Sequence, residues 1–136
     1  MPHPHNTPGT MNILNILNAE WIRTQVSETE PCLVIFDVLR DIHSADEQDS
    51  TSMKIVMDTL GLLVKGRCAL IVHHSSKIHP DMPLRVVNAS RGSSYIAGKV
   101  DSIWLLHKDT LSIVPRFDKP SSIRLKREQS GFVTPL

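Results

Sequence analysis

Apolar residues recur along this chain with two different periods, and the alternation between them outlines a fold. Ile13, Leu14, Leu17 and Trp21 return at helical spacing, which predicts a helix over about 11 to 27. Pro31 closes the connector that follows. Cys32-Leu33-Val34-Ile35-Phe36 is then an unbroken apolar run of strand length, the pattern of a strand buried on both faces in a parallel sheet. Asp37 ends it. Residues 38 to 52 are polar and acidic, and any of Asp49, Ser50, Thr51 and Ser52 can cap a helix. Met53, Val56, Met57, Leu60, Leu63 and Val64 follow at spacings of three and four, an amphipathic helix for which Gly66 is a natural stop.

Ala69-Leu70-Ile71-Val72 is a second buried-strand pattern, with His73-His74-Ser75-Ser76-Lys77 at its end. A loop with two prolines runs to about Ala89, and a short helix is expected from Arg91 to about Val100. Ser102 to Leu106, Leu111 to Val114 and Ile123 to Lys126 read as three more strands. The last two are expected to be antiparallel, because their connections are too short for a crossover helix. Strand, helix, strand in the middle of the chain points to a layered α/β fold with right-handed crossovers. Residues 1–10, rich in Pro and His, read as an irregular arm, and 11–136 as one domain.

Composition narrows the picture modestly. With 136 residues and 40% apolar content the chain can bury a core. A net charge of +1 excludes a strongly basic surface, so any nucleic-acid contact has to be a local patch. No apolar run reaches the roughly 18 residues of a membrane span, and the first residues do not read as a secretory signal. Cys32 and Cys68 border apolar runs, which suits buried thiols in a reducing cytoplasm better than a disulfide framework.

In open parallel sheets ligands bind beyond the carboxyl ends of the strands, where Asp37 and the His73-His74 pair fall. A carboxylate there suits Mg²⁺, and a histidine on the neighbouring strand can reach a phosphate or an attacking water. Each signal alone has a bland reading: an acidic strand end is more often a turn former, and a His-His pair more often inert.

Their joint order is more informative. Leu33-Val34-Ile35-Phe36-Asp37 is similar to a Walker B strand. It is followed by Leu39-Arg40-Asp41-Ile42-His43 and by Asp46-Glu47-Gln48-Asp49. His73-His74-Ser75-Ser76-Lys77 resembles a His-His-x-x-Lys motif, and Ala89-Ser90-Arg91-Gly92-Ser93-Ser94 a Ser-Arg-Gly-Ser-Ser motif. In this order the segments resemble the RecA-like ATPase core of RepA-type hexameric replicative helicases, over about residues 12 to 130. The resemblance implies a partial RecA-like three-layer fold, mainly parallel, with a C-terminal antiparallel extension. It implies ATP and Mg²⁺ as cofactors, with Asp37 ordering the Mg²⁺ shell and His74 sensing the γ-phosphate. It implies a loop from Ser75 to Ser90 facing single-stranded DNA, with Lys77, His79, Arg85 and Arg91 as its basic residues, in a homo-hexameric ring without a membrane partner.

The chain departs from the family in ways that bear on activity. It contains no Gly-x-x-x-x-Gly-Lys-Ser/Thr; Gly98-Lys99-Val100 lacks the hydroxyl residue and the preceding glycine. A P-loop supplies backbone N–H groups, lysine and the Mg²⁺-binding hydroxyl together, so the chain is expected to be inactive alone. Val38 stands where the family often has proline, and Asp101 where some members carry an arginine finger. Arg116 resembles the arginine of a Lys-x-Arg hairpin whose lysine position is here Val114. The expected function is the C-terminal part of such a helicase. The alternative is a non-catalytic RecA-like DNA-binding or assembly module. A third class, a metal-dependent or isochorismatase-like hydrolase, would use Asp37 with His43, His73, His74 and His79. Adjacent strand residues diverge, however, and Cys68 lies at the wrong strand end for a nucleophile. A missing P-loop strand would leave a slot in the sheet. Either Ser102 to Leu106 pairs beside Ala69 to Val72, or the chain self-associates or needs a partner there.

Overall fold

The computed structural model describes residues 11–74, 94–127 and 133–135. The arm of residues 1–10 and the expected DNA-facing loop, with Lys77, His79, Arg85 and Arg91, lie outside the described residues. The chain divides into two compact units, residues 1–74 and 75–136.

The first unit is α/β. Helix α1 spans Ile16–Thr29, strand β1 Leu33–Phe36, a 3₁₀ turn Leu39–Ile42, helix α2 Ser50–Leu63 and strand β2 Cys68–Ile71. Asn15 starts α1, its side chain accepting from the N–H groups of Leu17 and Asn18. The helix therefore begins later than the expected residue 11. Asn12 stabilises a separate turn ahead of it, accepting from Leu14 N–H at 2.9 Å and donating to Ser44 Oγ at 2.9 Å. Ile13 is buried in that turn rather than on the helix, and Leu17, expected on the apolar face, is 72% exposed. The inward face of α1 instead carries Trp21, Ile22, Gln25 and Val26. Glu30, at φ 45°, ends the helix and donates to Val26 O, and Pro31 prevents its continuation.

Helix α2 follows its pattern closely. Asp49 is the cap, accepting from the N–H groups of Thr51 and Ser52. Met53, Val56, Met57, Leu60, Leu63 and Val64 are all buried, as their spacing requires. Gly66, at φ 79°, supplies the left-handed turn beyond the helix, a conformation costly for residues with a Cβ.

β1 and β2 pair in parallel, Leu33 to Phe36 opposite Cys68 to Ile71. They are less covered than continuous apolar runs suggest. Leu33, Ile35 and Leu70 are exposed, and Phe36 is the buried residue of the pair. Among the described residues this sheet has two strands, so no further strand shields its edges. For the same reason Cys32 and Cys68, at the amino ends of these strands, are free and exposed rather than buried.

Among its described residues the second unit contains a short helix α3, Ser94–Lys99, and four strands: β3 Ser102–His107, β4 Thr110–Pro115, β5 Ser121–Arg127 and β6 Val133–Pro135. All pair antiparallel in the order β3-β4-β5-β6. The expected antiparallel arrangement of β4 and β5 is present, and β6 is an addition to it. The expectation of a mainly parallel sheet is corrected for the described residues, where two strands pair in parallel and four antiparallel. Parallel pairing needs a crossover, and the described residues hold a single strand–helix–strand unit. β3 pairs with β4 through the two-residue turn Lys108-Asp109, which satisfies its hydrogen bonds locally. The chain is thus a mixed α/β protein with a small parallel sheet and a larger antiparallel one.

Candidate functional site

The parallel register sets the geometry of the site. Phe36 lies opposite Ile71, so Asp37 and the His73-His74 pair emerge from the same, carboxyl end of the two strands. The chain beyond β1 is fastened there by its backbone. Val72 N–H donates to Phe36 O at 2.9 Å, and Leu39 N–H returns to Val72 O at 2.8 Å. The Asp37–Val38 peptide is cis. Leu39 and Ile42 of the 3₁₀ turn are buried, while Asp37, Arg40 and Asp41 face outward. Ile13 N–H donates to Ile42 O at 2.8 Å, tying the segment before α1 to the same turn.

The acidic run after the turn divides its work. Asp46 Oδ1 accepts from Gln48 N–H at 2.9 Å and forms a local turn. Asp49 caps α2, and a hydrogen bond from the Ser52 side chain, with the backbone N–H groups of Ser52 and Thr51, holds its carboxyl below the ordinary value of 3.8. Glu47 does something different: it is buried. Its Oε2 lies 3.8 Å from the Arg40 guanidinium, and its Oε1 lies 3.8 Å from Nε2 of His43. The His43 side chain is fully buried, whereas that of Arg40 is 59% exposed.

His43 is also fixed from its other nitrogen. Ala45 N–H donates to Nδ1 at 3.1 Å, so a neutral ring carries its proton on Nε2, facing Glu47. Burial lowers the pKa of His43 below 6.5, Glu47 opposes this, and Arg40 and nearby His73 add to the lowering. Arg40, His43, Glu47 and His73 therefore form one electrostatic group.

The expected site residues fall in different settings. Asp37 and His74 are both exposed at the strand ends. Arg116 belongs to the second unit. Its guanidinium donates to the carbonyl of Gly98 in the last turn of α3, and its backbone N–H donates to Asp101 O at 2.8 Å. A cation at a helix C-terminus satisfies carbonyls that the helix leaves open, a structural task. Arg116 also stands over the Phe117 ring at 5.9 Å. Among the described residues no group of three or more His, Cys, Asp or Glu side chains converges to hold a metal ion. A lone carboxylate at Asp37 fits Mg²⁺ in one way: that ion keeps several waters and takes its remaining oxygens from substrate phosphates.

Sequence reasoning placed Arg40, His43 and Glu47 in a family-like stretch, gave Arg40 and Glu47 no role, and used His43 only in the hydrolase alternative. Their spacing of three and four residues was the available signal. A groove of about 440 Å³ also runs between α1 and β1, lined by Trp21, Ile22 and Val26 on one side and Leu33 to Asp37 on the other. Compared with known proteins, the chain matches no family model and no curated protein. No helix among the described residues is long and apolar enough to cross a membrane.

Proposed function

We propose that this chain carries the Walker B half of a RecA-like, RepA-type helicase ATPase and does not hydrolyse ATP by itself. The observation that carries the reading is the parallel register of β1 and β2, which brings Asp37 and the His73-His74 pair to one end of the sheet. In this reading Asp37 orders Mg²⁺, His74 responds to the γ-phosphate, and the basic loop beyond it contacts single-stranded DNA. A partial RecA-like sheet also accounts for the exposed Leu33, Ile35 and Leu70: further strands, absent from the described residues, would cover them. Cytoplasmic action in a hexameric ring belongs to the same proposal. The same exposed strands favour, as a second reading, a non-catalytic RecA-like module completed by a partner.

Mg²⁺-dependent ATP turnover by the isolated chain tests the first reading. Turnover at background is expected, since no P-loop motif is available to cradle phosphates. Activity above background that disappears in Asp37→Ala overturns it.

A further inference from the structure

We propose that Arg40 is a phosphate-binding residue, aimed by the buried carboxylate of Glu47, with His43 supporting that carboxylate from the interior.

Glu47 is buried, with 8% of its surface exposed. A carboxylate drawn out of water loses hydration that one partner does not restore. Its partner Arg40 is mostly exposed, and exposed ion pairs contribute little to stability. Stability is therefore a poor reason for this arrangement. Neither Glu47 Oε1 nor His43 Nε2 has a hydrogen-bond partner within the described structure, although both atoms are buried. At 3.8 Å their approach is electrostatic, beyond hydrogen-bond length. The group holds an oriented charge with little direct bonding, which suits a device that directs a side chain at something else.

That side chain is Arg40. A guanidinium presents five donors in a planar fork, and here one edge approaches Glu47 at 3.8 Å. The side chain is 59% exposed, so donors not turned to Glu47 remain open to solvent and ligand. Arg40 follows Asp37 by three residues, so a phosphate bound at the 3₁₀ turn would have two kinds of partner: a guanidinium able to bind it in bidentate fashion, and an acid able to reach it through Mg²⁺. Because the 3₁₀ turn is anchored by Leu39 N–H to Val72 O, the fork sits on rigid backbone. Its ligand is a phosphate oxyanion, borne by a nucleotide or by a nucleic-acid backbone. The nucleotide source rests on the Walker B reading; the phosphate chemistry does not.

The test uses the full chain with the ¹⁵Nε–H resonances of its arginines as the readout. Three probes are titrated separately: inorganic pyrophosphate, Mg²⁺ with a non-hydrolysable ATP analogue, and a short oligothymidylate. A perturbed Arg40 Nε–H is expected with at least one probe. In Arg40→Gln the affinity for that probe should fall roughly tenfold or more, as expected for a lost charge-assisted pair. Arg67→Gln, which removes the surface pair of Arg67 with Glu30, should leave affinity unchanged. Glu47→Gln should weaken binding less than Arg40→Gln while making the Arg40 Nε–H as mobile as that of exposed Arg23. A purely structural Glu47 would not move that resonance. Glu47→Asp should restore part of the order. Binding of pyrophosphate or oligothymidylate through Arg40, with none of the ATP analogue, would keep this proposal with a non-nucleotide phosphate as its ligand, whereas the Walker B reading stands or falls on the turnover assay with Asp37→Ala. Absence of binding by all three probes overturns the proposal, as does unchanged affinity in Arg40→Gln or an unmoved Arg40 resonance in Glu47→Gln.

Discussion

The helical layer of the first unit and the antiparallel sheet of the second use apolar residues in opposite ways. The largest almost fully enclosed side chains among the described residues, Ile13, Leu39, Met53 and Val56, belong to the first unit. Among the described residues of the second, the buried apolar ones are Ile96 and Leu105. The sheet nevertheless has a coherent apolar face. Trp104 pairs with Ile113, and Leu106 with Leu111, which in turn pairs with Ile123, so these side chains share one side. Trp104 is 62% and Leu106 60% exposed. One unit has closed its core, and the other has sorted its residues without enclosing them. Alternation along strands is therefore sufficient to set register and insufficient to establish burial.

The comparison can be broken most directly at Met53. Met53→Ala should cost about 2–5 kcal/mol, the range for a large-to-small change in a packed core. Chemical denaturation followed by hydrogen exchange in α2 would measure it. A loss below about 1 kcal/mol would mean that the first unit is as open as the second.

A second contrast is electrostatic. Burial lowers the His43 pKa below 6.5, so the folded protein binds this proton less readily than the unfolded chain. The stabilisation is fully present above pH 6.5 and is lost as pH falls through that value towards the folded one. Glu47, Arg40 and His73 are the charged or titratable groups that His43 feels. Denaturation midpoints between pH 8 and pH 5 should fall with pH, and His43→Gln should flatten the slope. An unchanged slope would show that His43 is not the titrating group.

At the next level Asn15→Ala should remove the N-cap of α1 and cost about 1 kcal/mol, read from the same unfolding curves. The smallest effect belongs to the exposed sheet face. Trp104→Ser should change stability by no more than about 0.5 kcal/mol, because the indole is mostly in water already. A larger loss in thermal unfolding would show that this face is covered in solution.

How much of this was legible in the sequence follows the same division. Helix α2 was readable in period, cap and stop, because the cap candidates ended in an Asx/Ser/Thr cluster and Gly66 marked the turn. The C-terminal strands were readable because short connections leave antiparallel pairing as the available geometry. The α1 face was misassigned: two asparagines, Asn12 and Asn15, each capture backbone N–H groups, and periodicity cannot tell which one starts the helix. Burial of β1 and β2 was overestimated because an apolar run reports what a strand can be buried against, not whether the covering strands are present. At the site, Asp37 and the histidine pair were legible as strand-end residues. The Arg40–Glu47–His43 group was not, since it depends on a carboxylate turning inward from a stretch that reads as uniformly solvated.

The two sheets should also assemble on different timescales. β3 and β4 are joined by a turn of two residues, with His107 opposite Thr110, and such hairpins close in about 1–10 μs. Leu33 finds Cys68 across 68 − 33 = 35 positions of chain, so the parallel pair must first close a long loop through α2. Non-local pairing of this kind is slow, and the helices are free to form beforehand. The end of β1 that presents Asp37 and Arg40 is fastened by Val72, the residue just beyond β2. The candidate phosphate site would then be among the last parts of the chain to be completed, and a nascent polypeptide would not display it until residue 72 had been synthesised and released from the ribosome.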